Sequence, residues 1–586
     1  MKKIPGYLRQ PAFLLLHLSL IVILAGALTT WLTREKGYVK IGERQTVYEF
    51  RDDSGNVYGL PEGVTLERFN LIYYPGGEIP RDYVSHLVIG GKRYTVSMNQ
   101  VVDIYGYRLI QNSYDANGAT VLGVSHDPWG LLLVYTGYLM FTVGGLWMLL
   151  AKRGRFRSLL RSLSVVTLLF VGAASSSAAT IDGVPRASAD SLKAKAVVYS
   201  GKTVTFNTLC RDVVTKIYGK PVYRGLSPEQ TLMSMRLFPD SWKSEKIILV
   251  KDKVARDLLN LEGKYASLAD LFDAHGEYKV TPLLPKVSDD KRRALEDLDE
   301  KVGIILLLYS GDLIKAAPEE LPAWRVKAEL TYNSVPFGTL LFVVIFIGSF
   351  FALGASFGAE RLRMVAVAML WCSLAISVTL MALEWIIGGH IPLSNTFETL
   401  QALVLALEVL LLVAARRNAL LLGLGMFFTG ALALVAHLVE VNPAVTPLMP
   451  VLHSRWLSFH VSLVMTSYAF FGFTFILALA ALLRPSTEAK MRRMSLAMLY
   501  PGVYLLGLGI ITGSVWAEVS WGEYWSWDPK ETWALVTMVL YAVPLHPYFK
   551  SLLQPRFYHL YMLFAILAVA MTYFGVNFLN SMHAYS

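Results

Sequence analysis

Cysteine is almost absent from this sequence. Its 586 residues hold only two, Cys210 in a polar region and Cys372 inside an apolar run. Their settings differ too much for a pair, and neither sits in a CxxC, which excludes a thiol–disulfide enzyme. No CxxCH occurs either. The chain is therefore no c-type cytochrome, and any heme it holds is bound without a covalent link. Charged residues are also sparse, at 17% against 54% hydrophobic. What fills the chain instead is a series of apolar runs long enough to cross a bilayer, so it reads as a polytopic α-helical membrane protein.

The net charge of +10 would suit a nucleic-acid partner, but its distribution excludes one. Segments 1–10, 152–161, 359–363, 416–418, 484–494 and 550–556 carry 18 Lys and Arg and two acids, Glu360 and Glu488. The alternate connectors of the C-terminal half, 388–396, 438–457, 513–530 and 580–586, carry only Arg455 and Lys530 as Lys or Arg. This is the positive-inside asymmetry. It predicts a cytoplasmic N-terminus and an external, periplasmic C-terminus in a bacterial inner (plasma) membrane.

About eleven spans are expected, near 11–32, 129–151, 163–179, 336–357, 364–387, 397–415, 419–437, 458–483, 495–513, 531–549 and 556–579. The third is the weakest. Basic residues, a short apolar core and a small-residue run give it the look of a secretory signal, and a retained signal-anchor is the alternative. Residues 33–128 alternate polar with Val, Tyr and Ile and read as an external β-rich region. Residues 181–330 read as an external α-rich domain, with helices at 227–238, 252–261 and 289–310. The expected domains are 1–180, 181–335 and a membrane domain over 336–586.

Tryptophan is concentrated where charge is scarce. Five of the 13 fall between Trp516 and Trp533. Interface belts place one or two rings at a helix end, whereas four rings on a short connector form a surface for something flat and apolar, such as a porphyrin. Depth then sorts the histidines. His17 lies six residues into the first span, roughly 9 Å past its cytoplasmic end at ~1.5 Å per residue. His546 ends a span that runs the other way, so it lies in the same half. Each could be a hydrogen-bonded core histidine, or the two could ligate one iron. His460 and His583 fall on the external side with the tryptophans, with His437 and His453 as competitors for that level. His390 is a further external candidate, and His86, His126 and His275 read as ordinary residues.

Trp521-GEYWSWDPKETWAL resembles the tryptophan-rich WWD signature (516–533) of heme-handling proteins in cytochrome c biogenesis. Trp456-LSFHVSLVMTSYA, Tyr541-AVPLHPY and Asn577-FLNSMHAYS resemble the CcsA half of the system II cytochrome c synthetase. Leu16-His17-Leu18, followed by a large external region, resembles the CcsB (ResB-like) half. The whole is similar to a fused CcsBA synthetase.

That resemblance implies noncovalent heme b at two sites. His17 and His546 match the transmembrane ligands, and His460 and His583 match the external, catalytic pair. Trp521, Trp525, Trp527 and Asp528 would contact heme, and Asn395 and Glu398 fall on a loop similar to the family's external-site loop. The implied partners are heme, an apocytochrome c with CxxCH, an external thiol reductant system and membrane lipids. The implied activity is thioether formation between heme vinyls and the two thiols. A heme exporter without ligation, a diheme electron-transfer subunit and a transporter of another solute are the alternatives. Asp528-Pro529-Lys530-Glu531 also has a reading that needs no heme, as an N-cap, first-turn proline and capping box.

Overall fold

The computed structural model describes residues 11–74, 80–115, 118–151, 156, 184–273, 275–287, 289–439, 448–546 and 554–579. The first helix, α1 (Pro11–Thr33), is 23 residues with hardly a polar side chain. At ~1.5 Å per residue it is long enough for the ~30 Å bilayer core. It runs directly into an antiparallel sheet whose strands alternate buried and exposed positions, as in Val39, Ile41, Phe50, Leu87 and Leu122. The strands are β1 (Glu35–Ile41), β2 (Thr46–Arg51), β3 (Val57–Tyr73), β4 (Pro80–Ile89), β5 (Lys92–Ser97), β6 (Val102–Ile104), β7 (Tyr107–Tyr114) and β8 (Thr120–His126). Their order is β5-β4-β3-β2-β1-β8-β7-β6.

Strands β1 and β8 pair from Glu35 opposite His126 to Ile41 opposite Thr120. The sheet therefore leaves the end of α1 and returns beside it into α2 (Pro128–Leu150). Asp127 starts α2, accepting from the Gly130 N–H at 3.0 Å, with Pro128 at the first helical position, where its missing N–H costs nothing. The β-rich region anticipated from alternation is this insertion between two packed helices.

Beyond residue 184 come α3 (Phe206–Tyr218), α4 (Pro228–Leu237), α5 (Asp289–Ser310) and α6 (Ala323–Ser334). They bury Leu209, Val213, Ile217, Leu232, Leu298 and Ile305 in one core. The helix expected at 252–261 shortens to Lys253–Leu258, because Asn260 turns to φ 53°.

The membrane part holds α7 (Phe337–Ala355), α8 (Glu360–Gly388), α9 (Thr396–Leu410), α10 (Ala419–Leu438), α11 (Arg455–Leu483), α12 (Glu488–Trp521), α13 (Pro529–Ala542) and α14 (Pro555–Tyr573). Helices α9, α11, α12 and α14 meet around Leu407, Phe471, Leu499 and Tyr558, with Phe471 stacked on Tyr541 of α13 at 3.8 Å. Nine helices among the described residues are long and apolar enough to cross a membrane.

Two of the expected spans are not among these nine. The segment 163–179 lies outside the described residues. Of the segment 531–549, the described part belongs to the 14-residue α13 and a following 3-10 turn, Val543–Leu545, where Pro544 lacks the N–H that a longer helix needs.

The span expected at 495–513 is much longer than its apolar core. With no proline between Thr512 and Trp521, α12 continues until Gly522, which ends it at φ 73° in the left-handed cap. Trp516 and Trp521 consequently sit on a helix, and the true connector is only 522–528.

Candidate functional site

His17 lies one turn beyond Phe13 on α1 and donates Nδ1–H to the Phe13 carbonyl at 2.8 Å. His546, just past the 3-10 turn, donates Nδ1–H to the Ala542 carbonyl at 3.0 Å. A carbonyl can only accept, so both rings carry their proton on Nδ1 and keep the Nε2 lone pair for a metal. The two ring centres are 5.9 Å apart and perpendicular, at 88°. With metal–nitrogen bonds of about 2 Å on each side, that spacing suits one iron between two imidazoles. The fold thus brings together two of the residues that sequence depth had paired.

A second arrangement lies between α11 and α12. His460, in the second turn of α11, donates Nδ1–H to the Gly509 carbonyl at 2.7 Å. Its ring can lie this close only because Gly513 has no side chain; a Cβ there would come within 2.6 Å of Nδ1. The ring faces a cavity of about 580 Å³ between α9, α11, α12, α13, α14 and the connector, within the usual size of a cofactor pocket. Tyr468, Trp516, Tyr524, Trp525 and Tyr573 supply flat apolar walls, and Asn395, Lys530 and Glu531 supply polar groups.

Asn395 caps α9 by accepting the Glu398 N–H at 2.9 Å. Its Nδ2 is buried with no hydrogen-bond partner among the described residues, a donor on the cavity wall suited to an acceptor such as a carboxylate. Glu398 accepts from the Ser394 N–H and hydroxyl, both at 2.7 Å, so its carboxylate completes the turn. A heme-sized molecule fits the aromatic walls, the tautomer of His460 and this orphan donor.

The tryptophans divide between two sides. Trp525 lines the His460 cavity. Trp521 lines a separate cavity of about 200 Å³ against Lys36, Tyr38, Ile110 and Val124 of the sheet. Trp516 is buried and meets Trp521 edge to face at 4.8 Å. Trp527 is 71% exposed at φ 60° and meets Trp525 edge to face at 5.7 Å. A left-handed non-glycine residue costs roughly 1–2 kcal/mol, and such strain persists where surrounding structure holds it, often at functional positions.

Asp528 caps α13. It accepts from the Lys530 N–H at 2.9 Å, while Glu531 accepts from the N–H groups of Ser526 at 2.9 Å and Asp528 at 3.2 Å. This is the capping box read from the sequence.

Of the other candidates, His583 lies outside the described residues. His437 lines a different cavity, of about 460 Å³, with α3 and α6 residues. The backbone carbonyl of His453 accepts from Asn99 of the loop after β5 at 3.4 Å. His390 Nδ1 lies 3.1 Å from the carbonyl of Ile391. Sequence spacing did not single out Tyr468 or Tyr573, since an aromatic ring in an apolar span carries no local mark of the cavity it faces, and Tyr524 was passed over among the tryptophans of the connector.

Two family models match the chain: "Cytochrome C assembly protein" over residues 393–583 and "ResB-like family" over residues 5–121. The chain is 31% identical over 296 residues to "Cytochrome c biogenesis protein CcsA" of Prochlorococcus marinus (strain MIT 9312), which covers 44% of this chain and 96% of that relative. The chain belongs to the CcsA family of cytochrome c biogenesis proteins. A second CcsA, from Parasynechococcus marenigrum (strain WH8102), is 32% identical over 250 residues, 35% of this chain and 81% of its own. "Protein NrfI" of Wolinella succinogenes is 28% identical over 649 aligned residues, 90% of this chain and 71% of its own. This CcsA family member therefore carries a ResB-like part in the same polypeptide, in the fused CcsBA arrangement, and it is a multi-pass membrane protein.

Proposed function

We propose that this CcsA family protein is a cytochrome c synthetase that carries heme outward and joins it to an apocytochrome c. The observation that carries the reading is the pair of histidine arrangements on one bundle, His17 facing His546 at 5.9 Å and His460 at an aromatic cavity beside Trp525. Heme is the substrate. It enters from the cytoplasmic side, the side of the basic segments, and binds noncovalently as heme b between His17 and His546. It then rests at the external cavity on His460, with His583 as the second axial ligand, Trp525 against the porphyrin and Trp521, Trp527 and Asp528 shaping the connector.

The reaction adds each thiol of CxxCH across a heme vinyl group. A C–S bond forms at one vinyl carbon, the thiol hydrogen ends on the other, and the vinyl double bond becomes single, with no net redox change. An external thiol reductant system must keep the acceptor cysteines reduced. The protein's contribution is placement, since holding reacting groups at near-attack distance is worth up to ~7–11 kcal/mol in well-oriented systems. Asn395 Nδ2 and Lys530 are the cavity groups suited to a heme propionate.

Co-expression with an apocytochrome bearing CxxCH, in bacteria lacking their own maturation system, tests the reading. Covalent heme on the acceptor is the expected result, lost in His460→Gly. Heme that stays bound to this protein, with none transferred, would sink the synthetase reading and point to an exporter.

A further inference from the structure

The seven-residue connector that carries Trp525 and the helix end before it are tied to the N-terminal half at three points. Glu523 Oε1 accepts from Arg34 at 2.8 Å and from Lys36 at 2.6 Å. Glu518, on the last turn of α12 and 2% exposed, pairs with Arg108 of β7 and accepts from the Tyr135 hydroxyl at 3.3 Å. Tyr524, itself on the cavity wall, donates its hydroxyl to Thr30 Oγ1 at 2.8 Å, and Thr30 donates to the α2 cap Asp127 at 2.6 Å. Burial opposes ionisation of Glu523, but Lys36 and Arg34 outweigh it and hold the carboxyl below its ordinary range.

These ties are not what joins the two halves. Within the membrane, Tyr504 of α12 stacks on Phe141 of α2 at 6.0 Å and donates to the Thr142 carbonyl at 2.9 Å. Ser514 donates to the Tyr138 hydroxyl at 2.7 Å. The external ion pairs are thus free to serve a different purpose. They clamp the segment in which Trp521 faces the sheet and Trp525 faces His460, so the sheet sets the angle at which the strap crosses the cavity.

We propose that Arg34, Lys36 and Arg108 are positioning residues of the external heme site, acting through Glu523 and Glu518. The proposal rests on the reading of the His460 cavity as a heme site. It makes the ResB-like sheet part of that site without any of its side chains touching the cofactor.

The test is made on the full-length protein purified in detergent after expression with heme, by heme content, absorption spectrum and thermal midpoint. Glu523→Lys should lower heme at the external site by about fivefold, a modest coupling between two sites, shift the spectrum of what remains, and leave the His17–His546 heme in place. The reversed pairing, Glu523→Lys with Arg34→Glu and Lys36→Glu, should restore the wild-type spectrum. Arg34→Gln with Lys36→Gln supplies the same test if Glu523→Lys does not fold.

Wild-type external heme and spectrum in the Glu523 variant, or no recovery in the reversed pair, overturns the proposal. His460→Gly separates the two levels. If it leaves heme unchanged, the external site itself fails; if it loses heme while Glu523→Lys does not, only the positioning role fails.

Discussion

Replacing Asp528 decides whether its carboxylate touches heme or holds a helix. The side chain is 5% exposed and accepts the Lys530 N–H at 2.9 Å, while Glu531 returns the bond by accepting the Asp528 N–H at 3.2 Å. Loss of an N-cap side chain costs about 1 kcal/mol, with a range of ~0.5–2. The connector ends at this cap, so most of that loss falls on the conformation that presents Trp525. At 1.4 kcal/mol per tenfold, heme retention at the external site should fall about fivefold in Asp528→Ala. Asp528→Asn keeps an acceptor of equal capping strength and should retain heme at the wild-type level. The assay is heme per protein after purification, paired with the thermal midpoint. Loss in the Asn variant as large as in the Ala variant would refute the capping argument, because only the lost charge is common to both.

Trp527→Gly removes a left-handed strain of roughly 1–2 kcal/mol and an exposed ring. The variant should melt higher than wild type while holding less external heme; a lower midpoint would show that the ring supports the fold. Gly144→Val tests how α1 places His17. A Cβ at 144 would lie 3.0 Å from Leu16 N and 3.2 Å from Leu16 Cα, backbone atoms that cannot rotate away. The variant should lose the His17–His546 heme and keep the external one, as read by heme stoichiometry.

Asp212 on α3 is pushed up to about 7, chiefly by burial, and Lys202 is lowered to about 8, also chiefly by burial. Between about pH 4 and 7 the folded state holds a proton on Asp212 that the unfolded chain has lost, so stability falls with rising pH. Lys202 adds an opposite trend only above about pH 8. Asp212→Asn should therefore flatten the decline of the thermal midpoint between pH 5 and 7.5; equal slopes in both proteins would count against it.

The legible parts of this protein are those written in local periodicity. Alternation of polar residues with Val, Tyr and Ile over 33–128 announced the sheet, apolar length announced the nine described spans, and Asp528, Pro529 and Glu531 announced a helix start at single-residue resolution. Depth along a span is also local arithmetic, which is why the sequence could suggest His17 and His546 as partners, and the two rings lie 5.9 Å apart.

The errors arose where a boundary depends on what lies beyond the window. The reach of α12 past its apolar core depends on Gly522 in the left-handed cap, and it moved Trp516 and Trp521 from connector to helix.

By itself, then, the sequence determined the membrane class, the β insertion and the cap, because each follows from spacing along one stretch of chain. Only the tertiary structure decided that His17 and His546 face each other at 5.9 Å, that Trp525 and Trp521 point to opposite sides, and that Arg34, Lys36 and Arg108 reach Glu523 and Glu518. These are contacts between residues hundreds of positions apart. Their geometry is set by how α1, α2 and the sheet dock on α12, and no pattern within any one segment encodes it.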